Sequence, residues 1–246
     1  MKILVCISVT PDTTSRISFK NQNSEFNSEG VQYILNPYDE WYALVRALEL
    51  KEKSGGTVTV IHAGPALHEA MIRKALAIGA DDAIRINCQP GSSYEAAVQI
   101  GHAIEKSGYD LILLGKETID FQDGEMGAML AELLGLPFIS FASKLNSDGS
   151  SAEVHRDIEG GIEVLEIKLP AVISAAKGMA EQRIPNMKVI MMAKSKPFQV
   201  LEPIATDTLV KTIQYTVRPP KQGVKMVAPD DMDELVRLLH EEAKVF

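Results

Sequence analysis

The sequence predicts a doubly wound α/β protein. A mostly parallel sheet carries helices on both faces, with an antiparallel hairpin and an extended C-terminal arm added late in the chain. Three observations point to this. Short apolar runs alternate with helical stretches of about 12–16 residues through the first half, the pattern of repeated βαβ units with right-handed crossovers. Leu111 to Leu114 is an unbroken apolar run, as a strand buried on both faces requires. After Pro137 the spacing changes, and Val154–Ile158 and Ile162–Leu169 alternate with period near two around Gly160-Gly161.

The elements follow in order. Lys2 to Val9 is a first strand, apolar and β-branched. Thr10 to Asn27 is a polar excursion in which Ile17 and Phe19 alternate as in a hairpin, and Val31 to Leu35 returns to the core. Asn36-Pro37 stops that strand. Pro37 suits the first turn of a helix, and Asp39 and Glu40 suit its dipole. Trp41, Leu44, Val45 and Leu48 form its buried stripe, and Gly55-Gly56 ends it. Thr57 to Ala63 is a strand broken by Gly64-Pro65. Leu67 to Ile78 is a helix with Leu67, Met71, Ile72 and Ala75 on one face, capped by Gly79.

Ala83 to Ile86 is the next strand. Ser92 and Ser93 cap a helix that turns Ala97, Ile100, Gly101 and Ile104 inward. The strand Leu111–Leu114 then leads through a polar loop into a helix with Met126, Met129, Leu130 and Leu133 on one face. A strand at Phe138–Ala142 and a polar turn at Asn146–Ser151 precede the hairpin, and Ala171–Ala175 is a last apolar strand. Residues 176–196 lose regularity. They carry Lys177, Arg183, Lys188, Lys194 and Lys196 against Glu181 alone, together with Met179, Met187, Met191 and Met192. This reads either as a connector whose methionines pack on the domain or as an adaptable docking surface. Residues 1–196 form the α/β domain. Residues 197–246 form an extended, Pro-interrupted arm, ending in an amphipathic helix over Asp231–Lys244 with Leu235, Leu238 and Leu239 inward.

The net charge of −8 argues against nucleic acid or an anionic membrane as a partner held by bulk electrostatics. No apolar run approaches the roughly 20 residues of a membrane helix. The start MKILVCISV turns polar too soon for a secretory signal. Two distant cysteines, Cys6 and Cys88, read as interior thiols, and the expected compartment is the cytoplasm. The five histidines show no metal-ligand spacing, so no metal site is expected. There is no GxSxG and no GxGxxG. Gly115-Lys116 lacks the rest of a phosphate-binding P-loop. What remains is a set of strand ends: Cys6 to Val9, Asn36 to Asp39, Ala63 to Pro65 and Asp120 to Gly127. In a doubly wound sheet such ends converge on one crevice. Small residues there leave room for an adenine ring, and Gly124 and Gly127 let backbone N–H groups approach a phosphate. Each glycine alone reads more readily as a turn than as a ligand contact.

The chain resembles the β subunit of electron transfer flavoproteins. The resemblance runs from the first strand to about Lys196. It rests on Val5-Cys6 with Pro11-Asp12, on Asn36-Pro37-Tyr38-Asp39-Glu40, on Gly64-Pro65 and on Ala77-Ile78-Gly79-Ala80-Asp81. It continues through Leu113-Leu114-Gly115-Lys116 with Ile119-Asp120, Leu136-Pro137, Arg156–Gly161, Leu169–Val172 and Arg183-Ile184-Pro185-Asn186-Met187. The resemblance implies an adenine-nucleotide-hydrolase-like α/β fold. It also implies a heterodimer with a larger α subunit that holds most of a redox FAD, and no catalytic residues in this chain.

On the same ground, a buried AMP is expected against Cys6, Asn36, Pro37, Tyr38, Asp39, Ala63, Asp120, Asp123, Gly124, Glu125, Met126 and Gly127. Tyr38 is also expected near the α-subunit flavin. The loop carrying Ile184, Pro185, Met187 and Lys188 matches the family's recognition loop for acyl-CoA or related dehydrogenases, with Met187 as the apolar anchor. Asp157 matches an acidic residue that steers the flavin-bearing domain. Glu125-Met126-Gly127 departs from the family's Gln-Thr-Gly or Gln-Val-Gly, which leaves FAD or an empty site as alternatives to AMP. An electron-bifurcating subunit with its own FAD and a stand-alone adenine-nucleotide-binding protein are the alternative functions.

Overall fold

Strand β1 (Lys2–Cys6) lies at the centre of a nine-stranded sheet in the computed structural model, which describes residues 1–220 and 223–246. Lys221 and Gln222, within the expected arm, lie outside the described residues. On one side β1 pairs in parallel with β6 (Thr57–Ala63), followed by β7 (Asp82–Ile86) and β13 (Phe198–Leu201). On the other side it pairs with β8 (Leu111–Gly115), then β12 (Ala171–Ala175) and β9 (Phe138–Ser147), all parallel. The antiparallel hairpin of β10 (Ser151–Ile158) and β11 (Gly161–Lys168) completes that edge. The expected mixed, mostly parallel sheet with a late hairpin is therefore present.

Helices α1 (Asp39–Ser54) and α2 (Glu69–Ile78) cover one face, and α3 (Ser93–Ile104) and α4 (Met126–Leu134) the other. Strand alternation decides which residue goes where. Ile3 and Val5 pack with Leu44 and Ile72 in one core cluster, while Leu4 and Cys6 pack with Ile100 and Leu130 in the second. Strand β8 is buried along its whole length, as its apolar run requires. Burying each such Leu or Ile contributes about 1.5–3 kcal/mol.

Several boundaries differ from the sequence reading. The first strand stops at Cys6, because Ser8 turns its N–H from the ladder to the Glu40 carboxylate. Val9–Pro11 (β2) instead pairs antiparallel with Tyr33–Leu35 (β5) in a separate ribbon. The polar excursion does contain a hairpin, β3 (Phe19–Lys20) with β4 (Glu25–Phe26). Pro37 lies outside α1, which is preceded by Tyr38 at the N-cap position. Leu67 is exposed in a short 3₁₀ turn, Ala66–His68, ahead of α2. The inward stripe of α4 is Gly127, Leu130 and Ala131, one residue out of phase with the expected one, and Leu133 faces solvent. Strand β9 runs on to Ser147, which shortens the expected turn.

The segment after β12 is more ordered than its sequence suggested. Asn186 caps a short helix α5 (Met187–Ala193) by accepting the Val189 N–H. Phe198–Leu201, expected in the arm, forms the ninth strand of the sheet. The C-terminal helix splits into α6 (Met232–Arg237) and a π-turn at Leu238–Glu242. Its expected inward residues Leu235, Leu238 and Leu239 are not buried.

Gly115 fixes how closely α1 approaches the end of β8. A Cβ there would lie 2.7 Å from Glu40 Cγ and 2.9 Å from the Glu40 backbone N. Gly115→Ala is expected to cost about 1–3 kcal/mol through this overpacking, measured as a lowered midpoint in chemical denaturation at unchanged helix content.

Candidate functional site

The sheet order reverses between β1 and β8, since β6 lies beyond one and β12 beyond the other. In an open α/β sheet the crevice outside the carboxyl ends of such strands is where a ligand binds. Cys6 and Gly115 end the two strands there, and Ala63 ends β6 beside them.

Asn36 joins the parts of this crevice. Its backbone N–H donates to the Ser8 carbonyl at 2.8 Å. Its side-chain Nδ2 donates to the Glu117 carbonyl at 3.2 Å, and its Oδ1 accepts the Ile119 N–H at 3.1 Å. The side chain is fully buried. A carboxamide offers both a donor and an acceptor, so one residue satisfies both sides of the loop after β8. Gly124, in the left-handed region at φ 65°, then turns that loop toward α4. Asp120 accepts the Phe121 N–H, and Asp123 accepts the Ser93 hydroxyl, which ties the loop to the start of α3.

At Glu125 the helix α4 begins without a side-chain cap. The Glu125 carboxylate is exposed and does not plug the helix start. Met126 packs its thioether toward the core. The glycine character of Gly127 serves packing, because a Cβ would lie 2.9 Å from the Phe138 ring and 3.0 Å from Leu114. The N–H groups of Met126, Gly127 and Ala128 point out of the first turn, where an α-helix has no partners of its own for them. Such a donor set, with the positive end of the helix dipole, suits an anion such as a nucleotide phosphate. The departure at Glu125-Met126 removes no backbone donor.

The acids of the crevice are strongly perturbed. Burial pushes Glu40 up to about 8 against the opposing hydrogen bond from Ser8, whose N–H lies 2.5 Å from its Oε2. Burial likewise lifts Asp39 to about 6, with the Lys116 ammonium acting in the opposite direction. Burial also pushes the Cys6 thiol up, so Cys6 is a packing group and not a nucleophile. Sequence reasoning missed Glu40 as a site group. It placed Asp39 at the nucleotide site and read Glu40 only as a complement to the helix dipole, and nothing in one sequence shows that α1 starts against Gly115.

Of the remaining expected residues, Tyr38 borders the crevice and the others lie away from it. Tyr38 is 59% exposed and sits at φ 65° with ψ −100°, a sparsely populated conformation that costs a non-glycine residue about 1–3 kcal/mol. Asp157 is exposed near the end of β10. Ile184 and Met187 are 87% and 73% exposed. Their loop is braced by Arg183, which donates to both carboxylate oxygens of Glu52 at 2.6 and 2.9 Å. Lys196 braces it from the other end by donating to the carbonyls of Leu76 and Ala80. Pro185 borders a groove of about 310 Å³ over the C-terminal end of α2, and Lys188 is exposed beside it. Of the four methionines, Met179 is buried in the core, and Met187, Met191 and Met192 are exposed.

Among the described residues no cluster of three or more His, Cys, Asp or Glu is arranged to hold a metal, and no helix is long and apolar enough to cross a membrane. A parallel sheet with an uncapped helix start at its switch point defines an α/β protein of the kind that holds a ligand at its strand ends. Comparison with known proteins narrows this. Residues 25–206 match the electron transfer flavoprotein domain. The chain is 36% identical to the electron transfer flavoprotein subunit beta of Bacillus subtilis (strain 168), with the whole of both chains covered. It is 34% identical to that of Syntrophomonas wolfei over 92% of this chain and 90% of the relative. With the Homo sapiens protein it shares 32% over 100% and 99%. The chain belongs to the electron transfer flavoprotein beta subunit family, a family of electron carriers.

A pH dependence follows from Glu40. An acid with a raised value binds its proton more tightly folded than unfolded. Its contribution to stability is full below 4.5 and is lost as pH climbs to about 8. Across pH 5 to 8 the wild type should lose about 2–4 kcal/mol relative to Glu40→Gln, which keeps an acceptor for Ser8 but does not titrate. Denaturation midpoints of the two proteins across that range check this, and parallel profiles would contradict it.

Proposed function

We propose that the chain is the beta subunit of a heterodimeric electron transfer flavoprotein. It takes electrons from acyl-CoA-type dehydrogenases through the FAD of an alpha subunit and passes them toward the respiratory chain, as in fatty acid β-oxidation in the cytoplasm. The observation that carries this reading is the pairing of two features on one domain. One is the Asn36-held loop and uncapped α4 start at the carboxyl ends of the strands. The other is the exposed, braced Ile184–Met187 segment.

In this reading AMP is structural. The first-turn N–H groups of α4 and the backbone around Gly124 hold its phosphate. Cys6, Asn36, Pro37, Asp39 and Ala63 enclose its adenosine, and Asp120 and Asp123 fix the loop. The flavin, held mostly by the alpha subunit, supplies the redox chemistry. The work of this chain is to bind, orient and dock, without a catalytic residue of its own. Tyr38, exposed at the crevice mouth, lies toward the flavin. Asp157 offers a negative charge to the mobile flavin domain. Met187, with Ile184, Pro185 and Lys188 around it, inserts into the partner dehydrogenase. The arm beyond Leu201 and the C-terminal helix lie on the alpha subunit, which supplies the cover that Leu235, Leu238 and Leu239 lack here.

Coexpression with an alpha subunit should yield a complex from which one FAD and one AMP are extracted. Two FAD molecules and no AMP would instead indicate a bifurcating subunit. Met187→Ala should slow reduction of the complex by its dehydrogenase about tenfold or more, since an exposed apolar anchor of this size contributes about 1–2 kcal/mol or more to docking. Flavin content should be unchanged. Stopped-flow reduction kinetics report the result, and wild-type rates would rule Met187 out as the anchor.

A further inference from the structure

On the sheet face opposite Cys6 and Ala63, three basic side chains meet at the ends of β6 and β7. His62 and Arg85 stand opposite each other in the strand register. Alternation places them with Val60 and Ala83, on the α1 and α2 side. His68 reaches over from the 3₁₀ turn, with its ring 5.0 Å from that of His62 and 5.5 Å from that of Tyr33.

The hydrogen bonds here fix the proton positions. His62 Nδ1 lies 2.9 Å from the Ile7 carbonyl, which only accepts, so Nδ1 is the donor. In the neutral ring Nε2 is then an acceptor, and it meets His68 Nδ1 at 2.8 Å, so His68 donates. Gly64 is needed for this pair to lie over the strand end, since a Cβ there would fall 2.0 Å from His62 Nε2. Burial drives the His62 value down to about 4, and burial together with the Arg85 charge lowers His68. Both rings are neutral at physiological pH, and neither supplies negative charge.

Arg85 is only 5% exposed. Its Nη1 donates to the Gly64 carbonyl and to Asn87 Oδ1, each at 2.9 Å. Its Nε is buried with no partner. Among the described residues no carboxylate pairs with it. A guanidinium buried without a counter-charge is unfavourable, and its free Nε and Nη2 donors form the planar fork that two oxygens of one anion satisfy.

We propose that Arg85 is the core of an oxyanion site, taking a phosphate or carboxylate group on its Nε–Nη2 edge beside the His62–His68 pair. The site lies on the other face of the sheet from Cys6 and Ala63 and borders the nucleotide crevice at Ile7 and Gly64, and the inference does not depend on the nucleotide reading. The oxygens come either from free phosphate or from a carboxylate that a partner subunit inserts.

The test is thermal unfolding of the full-length chain in chloride and in phosphate at equal ionic strength, with AMP held constant. The wild type should gain about 3–6 °C in phosphate at roughly ten times its dissociation constant. Arg85→Met should lose that gain, and Arg85→Lys should keep part of it. If Arg85→Met does not fold, the wild type and Arg85→Lys alone decide, together with sulfate-soaked crystals. Anion density on the Arg85 fork supports the site, and a water alone overturns it. An equal phosphate response in wild type and variants also overturns it. Repeating the titration in the complex with the alpha subunit separates the sources. A persisting response means a free anion, and a response that vanishes on assembly means a partner carboxylate.

Discussion

The Asn36 carboxamide is the interaction on which the ligand crevice depends. It lies where three separate pieces of chain meet: the exit from β1, the start of α1 and the loop that follows β8. The Asp123 carboxylate of the loop is held separately by Ser93 at the start of α3. The loop is polar and turn-rich, and it ends at a helix start with no side-chain cap. A buried amide that satisfies one carbonyl and one N–H contributes more than a surface bond, because removing it leaves both partners unpaired and out of water. Gly115 completes the junction by letting the acidic first turn of α1 come against the end of β8. Glu40 is buried as a consequence, and its raised value is the electrostatic cost of that approach.

The two regions proposed to act stand at opposite ends of the sheet, and the topology explains why. Parallel strands send all their carboxyl ends to one edge, so the ligand crevice forms there. The crossover helices return to the other edge, where their C-termini expose carbonyl groups. Lys196 uses that end of α2, placing its ammonium on the carbonyls of Leu76 and Ala80, and Arg183 holds Glu52 near the end of α1. A cation at a helix C-terminus is favourable in itself. The segment carrying Ile184 and Met187 is thereby presented on a fixed base with its apolar side chains free.

Much of the fold was legible in the sequence, because it rests on local rules. The apolar runs of β6, β8 and β12, the serine cap of α3 and the glycines after α1 and α2 each state their own structure. The misreadings share a different cause. The phase of α4 is set by how Gly127 fits against Phe138. The ninth strand, Phe198–Leu201, exists only because β7 offers an open edge to pair with. The C-terminal helix carries an amphipathic pattern whose apolar side stays unburied. For the site, the strand ends and Gly124 were readable as a ligand crevice. Glu40 and the Arg85 cluster were not, since burial of a charged residue is a property of its neighbours in space.

Asn36 is proposed to shape a nucleotide site whose occupant is structural and not redox-active. The most direct measurement is nucleotide extraction from the complex of Asn36→Ala with an alpha subunit, next to the wild-type complex. AMP should fall well below one per complex while FAD stays at one and the circular dichroism spectrum is unchanged. AMP retained at the wild-type ratio, or FAD lost in parallel with it, would show that Asn36 does not shape such a site.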